Sequence, residues 1–581
     1  MVTTARWSRE AQLARLTDGT FDLLIIGGGI TGAGLAREAT LAGLRTALIE
    51  REDFASGTSS RSSRLVHGGV RYLEHGHLGL VFESSQERRR LLTLAPHLVR
   101  PLAFTWPVYA GARVPRWKLR AGLALYDALA LFRNVGQHEG LSRDAVLQRE
   151  PALDPQGLTG GARYWDAATD DSRLTLLTVL GAAEAGETAG SVLCNHVGVV
   201  RGLHEAGRVV GVVARDMLAD DDAAREVTVR ARIVVNATGP WSDATLRLLD
   251  EGSGQAAAGD RAPVRAAQAQ VRGSAGAHLC VPRERVGNHE AITLVSPVDG
   301  RVMFVLPSGR HTIIGTTEHP AHRGPDDICA TDADVQYLLD SVNRRFPDAK
   351  LSTDDVVSAW SGIRPLAARR AGGAQGQQGT GSASREHVVE VLRPGVLNVT
   401  GGKLTTYRAM AADILRHVLR ELGHAHAEPQ RSRSIETPIP GGEQPLERSR
   451  QEAELASGDE DVARRLAEAY GTRWRAVWAA TEADATLAER LVPALPYVLA
   501  EVQHAVQAEM AATLSDVLVR RMHLAFEQRD FGVGIAPRVA QRMQVLLGWS
   551  DARRDAELAR YASDVARLFR IDQTSSSALR S

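Results

Sequence analysis

Residues 62 to 76, SSRLVHGGVRYLEHG, gather a histidine, two glycines, an arginine and a tyrosine into a run with no apolar period of 2 or 3.6 residues. Each type has a use at a reacting centre. His67 titrates near neutrality and can take or give a proton. Arg71 offers a planar fork of donors for an oxyanion, and Tyr72 adds a hydroxyl. Gly68 and Gly69 let backbone lie against a flat ligand with no side chain between. The residue types leave His67 between two roles, a base for a hydroxyl proton or an anchor for its own loop. Thr58, Ser59, Ser60 and Ser63 precede it as hydroxyl donors, although serines in an unliganded polar loop look the same.

A second constellation lies upstream. FDLLIIGGGITGAGLAREATLAGLRTALIE reads as a strand over 21–26, a glycine turn, a helix over about 30–42 and a strand over 45–49 ending at Glu50. Gly27, Gly29 and Gly32 form GxGxxG between strand and helix. Such a turn admits a pyrophosphate to the helix N-terminus, and an acid ending the next strand accepts hydrogen bonds from a ribose. With strand, helix and acid in place the motif predicts dinucleotide binding; a glycine-rich turn of an unrelated α/β protein is the alternative. Two more strands end in glycine: IVVNATGPWSD (233–243), with Gly239, and GVLNVTGGKLTTYR (395–408), with Gly401 and Gly402. A helix beginning near Lys403 aims its amides outward, where they can stabilise negative charge on a reduced flavin. NAD sites normally need only the first turn; three glycine-ended strands along the chain resemble the glutathione-reductase-like flavoproteins, a resemblance that implies an extended FAD.

The elements that position these residues form a long chain. A length of 581 residues predicts several bodies. With 69 basic and 69 acidic side chains there is no overall field to gather nucleic acid. Cys194, Cys280 and Cys329 are far apart, which argues against a metal cluster or disulfide framework; no metal site is expected. The first twenty residues carry Arg6, Arg9, Glu10 and Arg15 without an apolar core, and no uncharged apolar run reaches about 18 residues, so a cytoplasmic protein is expected, peripheral at most on the inner face of the membrane. Stretches 250–262 and 369–386, rich in small polar residues, read as loose. After Pro438, Pro440 and Gly441 a separate helical module follows. Its clearest helices carry a TxxD box (Thr513, Asp516) ahead of buried Leu514, Val517, Leu518 and Met522, and a stripe of Leu558, Tyr561, Ala562, Val565, Leu568 and Phe569.

TSSRSSRLVHGGVRYLE, NATGPW, IIGTTEH, SGIRPL, SREHVV and GGKLTTYR, with DVLVRRMHLAF in the helical module, resemble in order and spacing the FAD-dependent, aerobic-type glycerol-3-phosphate dehydrogenases, over about residues 20–570. The resemblance implies a glutathione-reductase-like FAD-binding Rossmann domain in three segments (18–100, 166–262 and 356–435). It adds a cap segment (101–165), an inserted β-rich substrate domain (263–355) and an all-α C-terminal domain (441–575). It implies non-covalent FAD held by Gly27, Gly29, Gly32, Glu50, Thr58, Ser59, Ser63, Gly69, Val197, Gly239, Gly402, Lys403, Leu404 and Thr405. The implied catalytic set is His67, Arg71, Arg364 and Lys403, with Tyr72 and Arg385 binding substrate and Glu318 or His319 as runner-up acids or bases. The implied reaction takes sn-glycerol 3-phosphate to dihydroxyacetone phosphate by hydride transfer from C2 to flavin N5.

Where relatives carry a basic residue, SAGAHLCVP has Ala275. No second nucleotide motif or metal cluster is legible, so the electron acceptor is external: a membrane quinone by resemblance, or oxygen in an oxidase that makes hydrogen peroxide. The stretch VPRWKLRAGLALYDALALF (114–132) is a candidate membrane contact, or an ordinary core helix with a basic first turn. An amine oxidase and a non-catalytic flavin protein are the remaining rivals. Oligomeric state is open, with a homodimer as one arrangement.

Overall fold

The computed structural model describes residues 7–219, 226–251, 270–321, 323–368, 386–424 and 432–573, and only the backbone of Arg71, Glu74 and His75. Most of both loose stretches, and Arg385, lie outside the described residues.

Strands β1 (Thr20–Ile26), β2 (Thr46–Ile49), β3 (Val192–Cys194), β4 (Glu226–Asn236) and β5 (Val396–Thr400) lie in parallel in the order β5-β4-β1-β2-β3. The apolar run of β1 serves two cores at once. Leu23 and Ile25 pack with helices α1 (Ile30–Leu41), α3 (Asp171–Ala185) and α4 (Tyr407–Glu421) on one face. Phe21, Leu24 and Ile26 pack on the other face with Val197, Val209 and Val212 of an antiparallel meander. A strand apolar at successive positions is what a sheet covered on both faces requires. The predicted helix and both strands of the first unit are present within one residue at each end.

A second, ten-stranded sheet is built from residues 65–66, from strands between 100 and 168, and from strands between 271 and 367. In it the long strand Val271–Pro282 pairs antiparallel with Ser358–Ala367, placing Ser274 opposite Arg364, Gly276 opposite Gly362 and His278 opposite Trp360. The strand Ser358–Ala367 falls within the segment 356–435 read from sequence as part of the FAD domain, yet it completes this sheet. The cap segment 101–165 and the β-rich segment likewise share it.

Residues 446–568 form the expected helical body. Thr513 and Asp516 make the reciprocal bonds of the box, and Leu514, Val517, Leu518 and Met522 are all buried, although the helix winds as a π-helix over Asp516–Arg521. In the last long helix Tyr561, Val565 and Phe569 are buried, whereas Ala562 faces solvent. This body is fused to the second sheet: Phe526 packs edge-on to Trp360 at 5.1 Å, and Ser358 donates to its carbonyl at 2.7 Å.

Candidate active site

The loops ending β1, β4 and β5, three adjacent parallel strands, open into one cavity of about 400 Å³ bounded on its far side by the second sheet. Gly27, Gly29, Glu50, Thr58, Ser59, Ser63, Gly69, Val197, Gly239, Gly402, Lys403, Leu404 and Thr405 all line it. Gly32 does not. A Cβ there would sit 1.9 Å from the carbonyl oxygen of Gly27, so its work is to let α1 close on the turn. Glu50 accepts from the amides of Gly28 (2.7 Å) and Glu52 (2.9 Å); burial pushes its carboxyl pKa up, and these two amides oppose the shift. The Val197 amide donates to the Glu50 carbonyl at 2.7 Å. Ser59 accepts from the Ile30 amide at the start of α1 (3.0 Å), and Thr58 donates to the Ile363 carbonyl (2.7 Å), so both hydroxyls also tie the loop in place. A cavity lined by three glycine turns, the first residues of α1 and the acid Glu50 fits FAD.

The opposite end is made of side chains. The His67 amide donates to Thr405 Oγ1 at 3.2 Å, joining the HGG loop to the GGK loop. Lys403 Nζ lies 3.9 Å above the Tyr72 ring. Lys403 was expected at the start of a helix, but α4 begins only at Tyr407, so the lysine rides on the loop before it. Arg364 Nη2 donates to Thr316 Oγ1 at 3.2 Å. Gly276 makes room for that pair: a Cβ would stand 2.8 Å from Arg364 Nη2 and 2.6 Å from Thr316 Oγ1. His278 stacks on Trp360 and shares a 2.9 Å hydrogen bond with Ser63; burial pushes its pKa down to about 3. Arg61 also faces the cavity, and burial lowers its pKa to about 10.

The HGG glycines owe part of their identity to packing. A side chain at Gly68 would strike the Tyr126 hydroxyl at 2.2 Å, and one at Gly69 the Tyr72 ring at 2.3 Å. Gly68 is not itself on the cavity wall, and its amide donates to Asp166, which also accepts from Tyr126 and Arg88.

His67, Tyr72, Arg364 and Lys403 therefore meet at one cavity, whereas the runners-up stand outside its lining. His319 pairs with Asp334 at 3.3 Å, and Ser274 donates to Glu318. Ala275 is fully buried against Ile328 and Ile363. Strand alternation explains this: Gly276 and His278 face the cavity with Gly362 and Arg364, so residue 275 points the other way and a basic side chain there has no route to the site. Arg385 and the Arg71 side chain lie outside the described residues. His278, Thr316, Gly276 and Arg61 were not singled out from sequence. For Gly276 and His278 the signal is the alternation of a strand whose partner, Ser358–Ala367, lies far along the chain; Thr316, just past the strand His311–Gly315, and Arg61 stood inside the IIGTTEH and TSSRSS strings.

The model of the FAD dependent oxidoreductase family matches residues 22–408, and that of the C-terminal domain of alpha-glycerophosphate oxidase matches residues 432–554. Glycerol-3-phosphate dehydrogenase 2 of Mycobacterium tuberculosis is 36% identical over 96% of this chain and 90% of its own. Alpha-glycerophosphate oxidase of Streptococcus pyogenes is 33% identical over 95% of this chain and 96% of its own. The X-ray structure of the glycerol-3-phosphate dehydrogenase from Bacillus halodurans, complexed with FAD, is 28% identical and superimposes with a TM-score of 0.76, covering 97% of this chain and 98% of that one. The chain belongs to the family of FAD-dependent glycerol-3-phosphate dehydrogenases.

Proposed function

We propose that this cavity oxidises sn-glycerol 3-phosphate at its central carbon to dihydroxyacetone phosphate and that the electrons pass to a membrane quinone. Bound FAD supplies the hydride acceptor. The observation that carries the reading is the meeting of Arg364, Lys403, Tyr72 and His67 on the wall of the same cavity that the glycine turns and Glu50 line. Arg364 grips the phosphate dianion through its guanidinium fork, held in aim by Thr316. Arg71 and Arg385 are proposed as further phosphate donors. Lys403 and Tyr72, stacked on each other, flank the substrate's hydroxyls. His67 takes the C2 hydroxyl proton, its loop fixed by the bond to Thr405. His278, with its pKa near 3, stays neutral at physiological pH and is suited to orienting Ser63 rather than to accepting a proton.

The quinone reading draws on the surface next to the site. In α2 (Arg116–Leu129) Leu119, Leu123 and Tyr126 are buried, while Trp117, Leu125 and, just past the helix, Leu131, Phe132 and Val135 are exposed. Exposed Arg113, Lys118, Arg120 and Arg133 accompany them. Apolar side chains beside cations suit the interface of an anionic membrane. Among the described residues no helix is long and apolar enough to cross a membrane. Tyr126 connects this helix directly to the HGG loop. The test is turnover with glycerol 3-phosphate in air, with and without a soluble quinone: slow turnover that quinone accelerates supports the proposal, whereas hydrogen peroxide formed one for one with product at full rate assigns oxygen as acceptor.

A further inference from the structure

The helical body carries no residue that lines the cavity, yet it grips the loop that does. Arg520 Nε meets Asp53 Oδ2 at 2.6 Å, and Arg521 adds a second guanidinium to the same carboxylate, with Nη2 to Oδ1 at 3.0 Å. Asp53 lies in the segment between Glu50 and Ser59, which wraps the GxGxxG turn. On the adjoining turn Asn195 donates to Asp53 (2.8 Å) and to the Met510 carbonyl (3.0 Å), and His196 Nε2 meets Asp516 at 2.9 Å. That turn is bonded back to the acid's own segment, His196 to the Glu52 carbonyl (2.6 Å) and Val197 to the Glu50 carbonyl (2.7 Å). Asp516 closes the circle by accepting from Arg520 at 2.6 Å.

Asp53, Asp516, His196 and Arg521 are each at most 1% exposed. A charge so buried is held to one geometry, because any displacement leaves it unpaired in a low dielectric. Burial alone would raise the Asp516 pKa; His196 and the two arginines hold it well below the carboxylate range. The three residues Asp53, His196 and Asp516 approach as metal ligands do, but their facing oxygens already accept from arginine, asparagine, threonine and backbone donors, so the cluster is a clamp and not an ion site.

We infer that the helical body works as a cofactor clamp: Arg520, Arg521 and Asp516 position the Glu50–Ser59 loop and the Val197 turn, and so set how tightly the protein retains FAD, without acting on the reacting end. These are positioning residues, and the inference rests on the reading of Glu50 as the acid at the adenosine end. The same two bodies are joined elsewhere by a bidentate pair, Arg473 to Glu184 at 2.9 and 2.7 Å, which touches neither loop.

The experiment measures the dissociation constant for FAD, the melting temperature, and KM and kcat in excess FAD for Arg520→Gln, Arg473→Gln and Glu50→Gln. The clamp predicts that Arg520→Gln weakens FAD retention by about tenfold or more while KM and kcat in excess FAD stay within about twofold. Arg473→Gln lowers the melting temperature but leaves FAD retention within about twofold. FAD retention unchanged in Arg520→Gln, or weakened equally by Arg473→Gln, overturns the clamp. Should Arg520→Gln fail to fold, Arg520→Lys, which keeps the charge and loses the fork, carries the same test with an expected loss of about threefold. An unchanged affinity in Glu50→Gln strikes instead at the reading of Glu50, so the two failures are told apart.

Discussion

The two ends of the cavity are built by different means. At the end proposed for adenosine the surface is largely backbone: glycine turns closing three neighbouring parallel strands, with the first residues of α1 on the wall. At the end proposed for substrate it is side chain: Arg364 and His278 from paired antiparallel strands, Lys403 from a loop and Tyr72 from a short 3-10 helix, brought together by a sheet whose strands are remote in sequence. A Cβ added at Gly27 would stand 2.8 Å from the Ala237 carbonyl oxygen and one at Gly402 2.1 Å from the Met410 methyl, so these backbone positions leave no room for a side chain. A side-chain surface tolerates substitution but answers in substrate affinity. The ends also bury titrating groups of opposite behaviour, an acid with raised pKa at Glu50 and a base with lowered pKa at His278.

The largest expected effect comes from Gly32→Val. With even a Cβ 1.9 Å from the Gly27 carbonyl, α1 and the turn cannot keep their distance, and the variant is expected to be recovered without flavin or unfolded; normal flavin content on purification would show that the turn does not depend on this close approach. Next is Arg364→Ala, expected to raise KM for glycerol 3-phosphate by roughly 100-fold, about 2.8 kcal/mol, with FAD content unchanged. Equal changes in KM for glycerol 3-phosphate and for glycerol would remove Arg364 from the phosphate site.

Protonation sharpens the contrast. His278 has a folded pKa of about 3 against 6.5 in the unfolded chain, so between those values the folded state binds fewer protons and stability falls as pH drops. At pH 5 this amounts to about 2 kcal/mol, and His278→Gln should flatten the acid side of the melting-temperature profile. Glu50, raised by burial, has the opposite sign: its contribution is fullest in acid and is lost as pH rises through its folded value, so in the apoprotein Glu50→Gln should flatten that limb instead. Melting curves of flavin-free protein across pH check both; identical slopes in the two variants contradict the assignment. The smallest effect is that of Gly276→Ala, whose methyl group crowds Arg364 and Thr316: about tenfold in KM, with FAD affinity intact.

How much of this was legible in the sequence follows from the same division. Gly27, Gly29, Gly32 and Glu50 are neighbours along the chain because a backbone site is made by one strand, turn and helix, and their pattern survives without knowledge of the fold. Gly239 and Gly402 were legible for the same reason. Gly276 and His278 were not, since their meaning comes from antiparallel pairing with a strand far along the chain, and Thr316 was not, since its partner Arg364 is remote in sequence. The same long-range pairing puts Ser358–Ala367 into the second sheet and turns Ala275 away from the cavity. At Lys403 the apparent helix start was a turn, because the chain still has to leave β5 before α4 begins at Tyr407. In the last helix Ala562 continued the apolar stripe by spacing, but a methyl group too small to demand burial was left on the solvent side.

Anaerobic titration of the purified holoprotein, followed by the absorbance of oxidised flavin, decides whether this cavity oxidises a phosphorylated alcohol. Glycerol 3-phosphate is expected to bleach the flavin, and glycerol at the same concentration is not. An oxidised spectrum unchanged at saturating glycerol 3-phosphate, or bleaching by both compounds alike, would contradict the proposed function.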